Sequence, residues 1–275
     1  MSDSPEERAF RALTEKITQA RGVCCDAYKD RCLRRRIAVR MRARGVHSFG
    51  DYSRLLDADG REYDRLLDAL TINVTKFFRN VETWTALAPF LVERWKARSG
   101  AVQVWSAGCA SGEEPYTIAA ALAETARTTG TSDWLPRAQV LATDIDRQSL
   151  ERATAARYAA AAFSETPAEV LRRWIEPPAP DGTRTPVAAV RALVTVQRHD
   201  LTTGRPPGGP FDLVVCRNVV IYFDRDTQER LFQVFASALR PEGLLLLGKV
   251  ETLLGPAREL LRMENPRERI YRRPA

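Results

Sequence analysis

The 275-residue chain carries only two histidines, His47 and His199. That scarcity excludes a histidine-rich metal centre and argues against a histidine-based catalytic triad. Its five cysteines (Cys24, Cys25, Cys32, Cys109, Cys216) form no C-x-x-C pair and are odd in number, which reads as reduced thiols in a cytoplasmic protein. No apolar run approaches the roughly 20 residues that span a bilayer. The first ten residues, MSDSPEERAF, are polar and acidic, unlike a secretory leader. The central glycine turn, SAGCASG, lacks both the G-x-G-x-x-G spacing and the Lys-Ser/Thr of a phosphate loop, which disfavours a pyrophosphate cofactor.

What is present is an ordinary globular composition, 44% hydrophobic and 28% charged, with a net charge of +7 that is unevenly placed. Residues 1–100 hold 20 Lys/Arg against 14 Asp/Glu, while the segment 29–44 alone carries eight basic residues and one acid. A field so local suits an anionic partner docking on one face. The periodicity around it predicts helices over 5–21, 28–44, a short stretch from Ser48, and a stretch containing Tyr63, Leu66, Leu67 and Leu70. Ser48 and Asp51 have the spacing of a capping box. These elements make a small all-helical unit over 1–70. Residues 71–80, TINVTKFFRN, have no clean period and read as a junction, followed by a helix at 81–97.

From residue 101 apolar strands alternate with amphipathic helices. Strands are expected at 102–106, 139–143, 193–197, 211–215 and 244–248, helices at 114–128, 146–156 and 226–239, with Pro241 and Gly243 as terminators of the last helix. Two short C-terminal candidates, 258–263 and 269–272, would close a hairpin. The pattern is that of an α/β fold, a Rossmann-like parallel sheet with an antiparallel addition. In such sheets ligands sit at the carboxyl ends of the strands. Those ends carry Ser106 to Glu113, then Asp144 and Asp146, His199 and Asp200, Arg217, Asn218 and Tyr222, and finally Lys249 and Glu251. Asp144 suits the two hydroxyls of a ribose, and Asp146 suits a helix cap. Glu113 would attract a cation, whereas Glu114 fits a favourable acid at a helix start. An acid-lined site without basic residues at its turn favours a nucleoside bearing positive charge, such as S-adenosylmethionine.

Five segments then carry a resemblance: TINVTKFFRN, VWSAGCASGEEPYTIA, LATDID, FDLVVCRNVVIYFD and LRPEGLLLLG. In this order, over nearly the whole chain, they resemble the chemoreceptor glutamate O-methyltransferases, the CheR family. The resemblance implies an S-adenosylmethionine-dependent methyltransferase domain over 101–275 with a short insert near 165–192, a junction over 71–100 and a receptor-docking helical domain over 1–70. By matched motif, Asn73, Thr75, Arg79, Glu113, Asp144, Asp200, Arg217 and Asn218 would bind the cofactor, with S-adenosylhomocysteine as its product. Arg79 and Tyr222 are candidates to aim the substrate carboxylate; Tyr222 in VVIYF equally suits an aromatic at the mouth of the sheet. Arg35, Arg36, Arg40 and Arg42 represent the basic face that would dock on the acidic methylation helices of chemoreceptors.

Two departures from the family pattern stand out. Asp200-Leu201 replaces the usual Asn-Leu, so a main-chain contact there survives and a side-chain one is in doubt. Gly248-Lys249-Val250-Glu251 replaces the frequent G-H-S-E. The short, proline-rich insert argues against gripping a receptor tail peptide. No metal, no nucleic acid and no membrane insertion are expected, and the chain is expected to be a cytoplasmic monomer. Two rivals remain at this level. One is methylation of another substrate such as nucleic acid, for which the usual N-P-P-Y type signature is missing. The other is a non-catalytic sensing or scaffold module, against which Asn73, Glu113, Asp144 and Asn218 stand intact.

Overall fold

The computed structural model describes residues 4–21, 23–70 and 75–275. Gly22, expected to end the first helix, and Asn73, expected at the cofactor, lie outside the described residues. The chain divides into two compact units, Met1–Asn73 with Tyr222–Thr227, and Val74–Ile221 with Gln228–Ala275.

The first unit is helical. α1 (Pro5–Arg21) opens with proline in its first turn, and Ser4 Oγ accepts the Glu7 N–H at 3.2 Å. α2 (Asp30–Ala43) buries Leu33, Ile37 and Met41, the four-residue stripe read from the sequence. α3 (Phe49–Ala58) is capped by Ser48, whose side chain accepts the Asp51 N–H. α4 (Gly60–Leu70) completes a core that includes Phe10, Leu13, Ile17, Tyr52, Leu56 and Leu66. Within this core sits a buried carboxylate. Glu62 accepts two hydrogen bonds from Arg40, at 2.9 Å each, one from Arg44 at 3.1 Å and one from the Tyr52 hydroxyl at 2.9 Å. Burial opposes its ionisation, but these donors and charges outweigh it and hold the carboxyl below the ordinary range. Residues 222–227 are part of this unit: the Tyr222 carbonyl accepts the Lys29 N–H at 2.9 Å, and the Ala27 carbonyl accepts the Asp224 N–H at 2.9 Å.

The second unit is a seven-stranded sheet in the order β3-β2-β1-β4-β5-β7-β6. β1 (Gln103–Ala107), β2 (Gln139–Asp144), β3 (Val194–Arg198), β4 (Phe211–Cys216) and β5 (Leu239–Leu247) are parallel. β6 (Arg262–Asn265) and β7 (Ile270–Arg272) add the antiparallel hairpin at the β5 edge. Every residue of β4 is buried, including Asp212. A parallel strand covered on both faces tolerates that carboxylate because it accepts the Gln103 N–H at 2.9 Å and lies near Arg98 and Arg240. The helices are α5 (Val81–Ala97), α6 (Glu113–Thr128), α7 (Arg147–Ala155), α8 (Ala168–Trp174), α9 (Ala188–Arg191), α10 (Arg225–Ala238) and the single turn α11 (Ala257–Leu260).

Three features differ from the sequence expectation. The helix at 81–97, read from the sequence as part of a junction over 71–100, packs into the sheet unit: Trp84, Leu87, Leu91 and Trp95 lie in its core. Pro241 and Gly243 fall inside β5, which begins at Leu239 opposite Phe211; a register shift between Phe211 and Leu213 absorbs them, with Glu242 at φ 64°. Residues 257–260 coil into α11, so the hairpin strand starts only at Arg262. The stretch 157–192, which shows no period, contains short helices and two isolated bridges, Tyr158 with Arg184 and Ile175 with Pro186.

Candidate functional site

The polar strand ends gather at the β1 turn. After Ala107 the chain reverses into α6 through Gly108 (φ 79°), Ala110 (φ 47°) and Gly112 (φ 100°). Gly108 and Cys109 both donate to the Thr143 carbonyl, at 2.8 and 2.9 Å, which fixes the turn across the end of β2. A Cβ on Gly108 would lie 2.6 Å from Val219 Cγ2, and one on Gly112 would lie 2.6 Å from Tyr158 Oη and 2.9 Å from Ala153 Cα. Glycine is required at both positions by backbone angle and by close approach. Tyr158 caps the outside of the turn, donating from its hydroxyl to the Ser111 carbonyl at 2.9 Å.

Four acids surround this turn. Asp144 accepts the Ala110 N–H through Oδ2 and the Asp146 N–H through Oδ1, both at 2.9 Å. A carboxylate offers about four acceptor sites, so capacity remains on Asp144 for a hydroxyl. Burial pushes its carboxyl up, against the pull of the amides. Glu113 is buried at the start of α6, accepts from Ser111 Oγ at 2.7 Å, and is pushed up by the same desolvation. Glu114, half-buried, accepts from Ser106 Oγ at 2.9 Å. Burial raises its carboxyl to about 7, while the nearby charges of Arg217 and Arg79 pull it down. Glu251 is 3% exposed, with its carboxylate bonded to backbone amides. Asp146 caps α7 by accepting the Gln148 N–H.

Opposite the acids lie two arginines. Arg217 is buried, donates to Asn80 Oδ1 at 2.9 Å, and stands 5.5 Å from the Trp84 ring centre. Desolvation lowers its affinity for its proton and the charges of Glu114 and Glu251 restore part of it. Arg79 contributes to the field at both Glu114 and Arg217. The segment that carries it is pinned to the sheet unit, with Phe77 N–H on the Ala162 carbonyl at 2.9 Å and Phe78 N–H on Thr117 Oγ1 at 3.0 Å. Phe78 (φ 52°) and Asn80 (φ 59°) are both left-handed, so this segment is a tight turn rather than a loose linker.

The structure thus brings Arg79, Glu113, Asp144, Arg217 and Asn218 to one end of the sheet unit, with Thr75 half-buried on the same segment as Arg79. Asp200 forms a local cap: its Oδ1 accepts both the N–H and the hydroxyl of Thr202 at 2.8 Å, and its carbonyl accepts the N–H of Thr203 at 3.2 Å and its hydroxyl at 2.8 Å. Tyr222 belongs to the helical unit, where its ring lies 4.3 Å from the Arg36 guanidinium.

The four docking arginines separate. Arg35 and Arg42 are exposed, but Arg36 is buried and Arg40 is committed to Glu62, so the expectation of a common surface face fails for these two. The six arginines within this 14-residue helix cannot all turn outward while it packs a stripe; some lie at the margins and find partners. Sequence reasoning did not single out Asn80 or Tyr158 as members of the site. Asn80 closes the TINVTKFFRN segment, a position available from the motif, whereas Tyr158 lies in the stretch with no period.

The donor set fits a nucleoside with a cationic end: glycines where a ligand needs backbone approach, one carboxylate with acceptor capacity left, and further acids beside it. Two family models match the chain, CheR methyltransferase, all-alpha domain, over residues 8–71, and CheR methyltransferase, SAM binding domain, over residues 73–268. The chain is 36% identical over 247 residues to a chemotaxis protein methyltransferase of Klebsiella aerogenes, covering 88% of this chain and 82% of that one. It is 33% identical over 251 residues to the protein of the same name from Escherichia coli, covering 88% and 83%. Among solved structures it is similar to magnesium protoporphyrin IX methyltransferase from Synechocystis PCC 6803, with a TM-score of 0.33 and 18% identity over 59% of this chain and 53% of that one.

Proposed function

Because the chain belongs to the CheR methyltransferase family and is an S-adenosylmethionine-dependent methyltransferase of chemotaxis type, we propose that its methyl acceptors are glutamate side chains on the acidic helices of chemoreceptors. The observation that carries this reading is an acid-lined glycine turn facing two arginines, with no histidine placed at the turn among the described residues. The one histidine near the sheet ends, His199, packs its ring 5.9 Å from Trp105, and burial lowers its affinity for a proton. A glutamate acceptor needs no base, since a solvated glutamate titrates near ~4.3 and is already a carboxylate at neutral pH.

When bound, the cofactor supplies an electrophilic methyl group on a sulfonium. The protein's own residues then have three roles. Asp144 holds hydroxyls, and Glu113 and Glu114 supply negative potential at the turn. Arg217, with Asn80 fixing its orientation, and Arg79 supply positive potential that draws the acceptor carboxylate into line. Asn73 and Thr75, on the segment leading to Arg79, Asn218, beside Arg217, and Asp200 complete the cofactor contacts in this proposal. Tyr222, four residues past Asn218, is assigned to aiming the acceptor. Catalysis by positioning alone supplies roughly 7–11 kcal/mol in good cases. Docking falls to the exposed cations of α2, Arg31, Arg35 and Arg42, against acidic receptor helices in the cytoplasm.

Transfer of labelled methyl from S-adenosylmethionine to chemoreceptor fragments tests the proposal. The label is expected on glutamate and released by mild base, as an ester requires. Label that survives base, or that goes to nucleic acid instead, overturns it.

A further inference from the structure

Glu251 stands apart from the other acids of the site. It lies four residues beyond β5, and its own N–H bonds back to the Gly248 carbonyl at 2.9 Å. That turn sends the side chain under the neighbouring β4 turn. There Oε1 accepts the N–H groups of Val219 and Val220, both at 2.9 Å, and Oε2 accepts those of Asn218 at 2.9 Å and Gly248 at 2.7 Å. Two bonds per oxygen exhaust the acceptor sites of a carboxylate. Three of the four donors are consecutive amides of a turn that has no ladder to satisfy them. Buried amides without partners would each cost about 1–3 kcal/mol.

The turn held this way touches both halves of the site. It begins at Arg217, whose guanidinium is buried and hydrogen-bonded to Asn80, and its Asn218 is left-handed at φ 60°. Its Val219 side chain lies where a Cβ on Gly108 would be, so it sets the clearance over the glycine turn. Gly248 is confined by the same arrangement, since a Cβ there would meet Glu251 Oε2 at 2.7 Å and Asn218 N at 2.9 Å. From this geometry we infer that Glu251 is a positioning residue for the cofactor, an internal anion that shapes the Arg217–Val220 turn without touching the ligand. The inference rests on the S-adenosylmethionine reading of this site. It also accounts for the Gly248-Lys249-Val250-Glu251 segment, in which the two central residues are free to vary while the glycine and the acid are fixed by contact. Lys249 accordingly turns away to Glu82 and Glu268, and Val250 is 71% exposed.

The test is Glu251→Gln in the full chain, with binding of S-adenosylhomocysteine followed by calorimetry. A carboxamide has the same shape but offers one acceptor oxygen, and its NH2 points a donor at two amides that need acceptors. The dissociation constant is expected to rise by about tenfold or more with the number of binding sites per folded chain unchanged. A purely structural role predicts the opposite split, fewer binding sites at an unaltered constant, and that result overturns the inference, as does affinity within twofold of the unaltered protein. Absence of binding by the unaltered protein would instead refute the cofactor reading itself. If the variant does not fold, hydrogen exchange in the unaltered protein decides. The amides of Asn218, Val219 and Val220 are expected to be protected without ligand and slowed further by S-adenosylhomocysteine, and exchange at the rate of open chain refutes the role.

Discussion

Replacing Gly112 by alanine separates the two demands that the central turn places on one residue. The φ of 100° costs an alanine about 1–2 kcal/mol whatever surrounds it. The added methyl also meets Tyr158 Oη at 2.6 Å, Ala153 Cβ at 2.8 Å and Ala153 Cα at 2.9 Å. The tyrosine hydroxyl can give way by breaking its bond to the Ser111 carbonyl, but the Ala153 backbone belongs to α7, and moving it adds about 1–3 kcal/mol of overpacking. The sum is about 2–5 kcal/mol. Gly130, in the same unit, supplies the control: its φ is 70°, and nothing lies within 4 Å of a Cβ, so Gly130→Ala carries only the backbone part, about 1–2 kcal/mol. For units of roughly 150–250 residues each kcal/mol lowers Tm by about 2–4 °C. Thermal melts are therefore expected to fall by about 4–20 °C for Gly112→Ala and by about 2–8 °C for Gly130→Ala. Affinity for S-adenosylhomocysteine is expected to drop only in Gly112→Ala, because only there does the turn shift. Equal melting temperatures in the two variants, or unchanged ligand affinity in Gly112→Ala, would refute the close-approach argument.

Glu114 predicts a pH effect. Its carboxyl is raised to about 7 by burial, against an unfolded value near ~4.3, so the folded chain holds this proton more tightly across that window. The stability it confers is full below the lower value and is lost as pH rises to 7; Glu114→Gln should flatten that slope in denaturation measured from pH 5 to 8. The ionised form favours a sulfonium over a neutral sulfide, so the ratio of S-adenosylmethionine to S-adenosylhomocysteine affinity should rise from about pH 6 to about pH 8 in the native chain and stay level in Glu114→Gln. On α2, Arg40→Ala removes the bidentate partner of a carboxylate whose side chain is wholly buried, at a cost of about 3 kcal/mol, the low end because Arg44 and Tyr52 remain. The double variant Arg35→Glu with Arg42→Glu should leave stability within ~0.5 kcal/mol of native and raise the receptor KM with the cofactor Kd unchanged; a loss of both would exclude docking on this face.

The centre of the sheet was legible because its inner strands are apolar on both faces and bounded by polar ends. FDLVVC needs no context to read as a buried parallel strand, and the polar residues at each carboxyl end locate a ligand site by topology alone. Position in the fold was readable, but partnership was not. Glu113 and Glu114 are adjacent in sequence and point to Ser111 and Ser106 respectively, a division set by the helix start and invisible in the letters. Arg36 and Arg40 look like Arg35 and Arg42 in a string of arginines; only the packing of α4, which brings Glu62, and of Tyr222, which brings its ring, distinguishes them. Asp200 stands at the β3 end as the sequence placed it, but that its Oδ1 caps the turn through Thr202 could not be read from the letters. The stretch 157–192 was illegible because it is held by isolated bridges and aromatic contacts, such as Phe77 with Tyr158 at 5.0 Å, that leave no periodic trace.

The acids of the site differ chiefly in how many lone pairs the fold has already used. Glu251 has none left and serves as frame. Asp144 has spent one per oxygen on Ala110 and Asp146 and keeps capacity for a hydroxyl. Glu113 and Glu114 each accept one hydroxyl bond and retain most of their capacity, and both are pushed toward protonation by burial. This ordering runs from frame to ligand and bears on the state of the site after methyl transfer. A carboxylate attacking a sulfonium methyl cancels both charges, so the site that attracted a cation and an anion holds two neutral products.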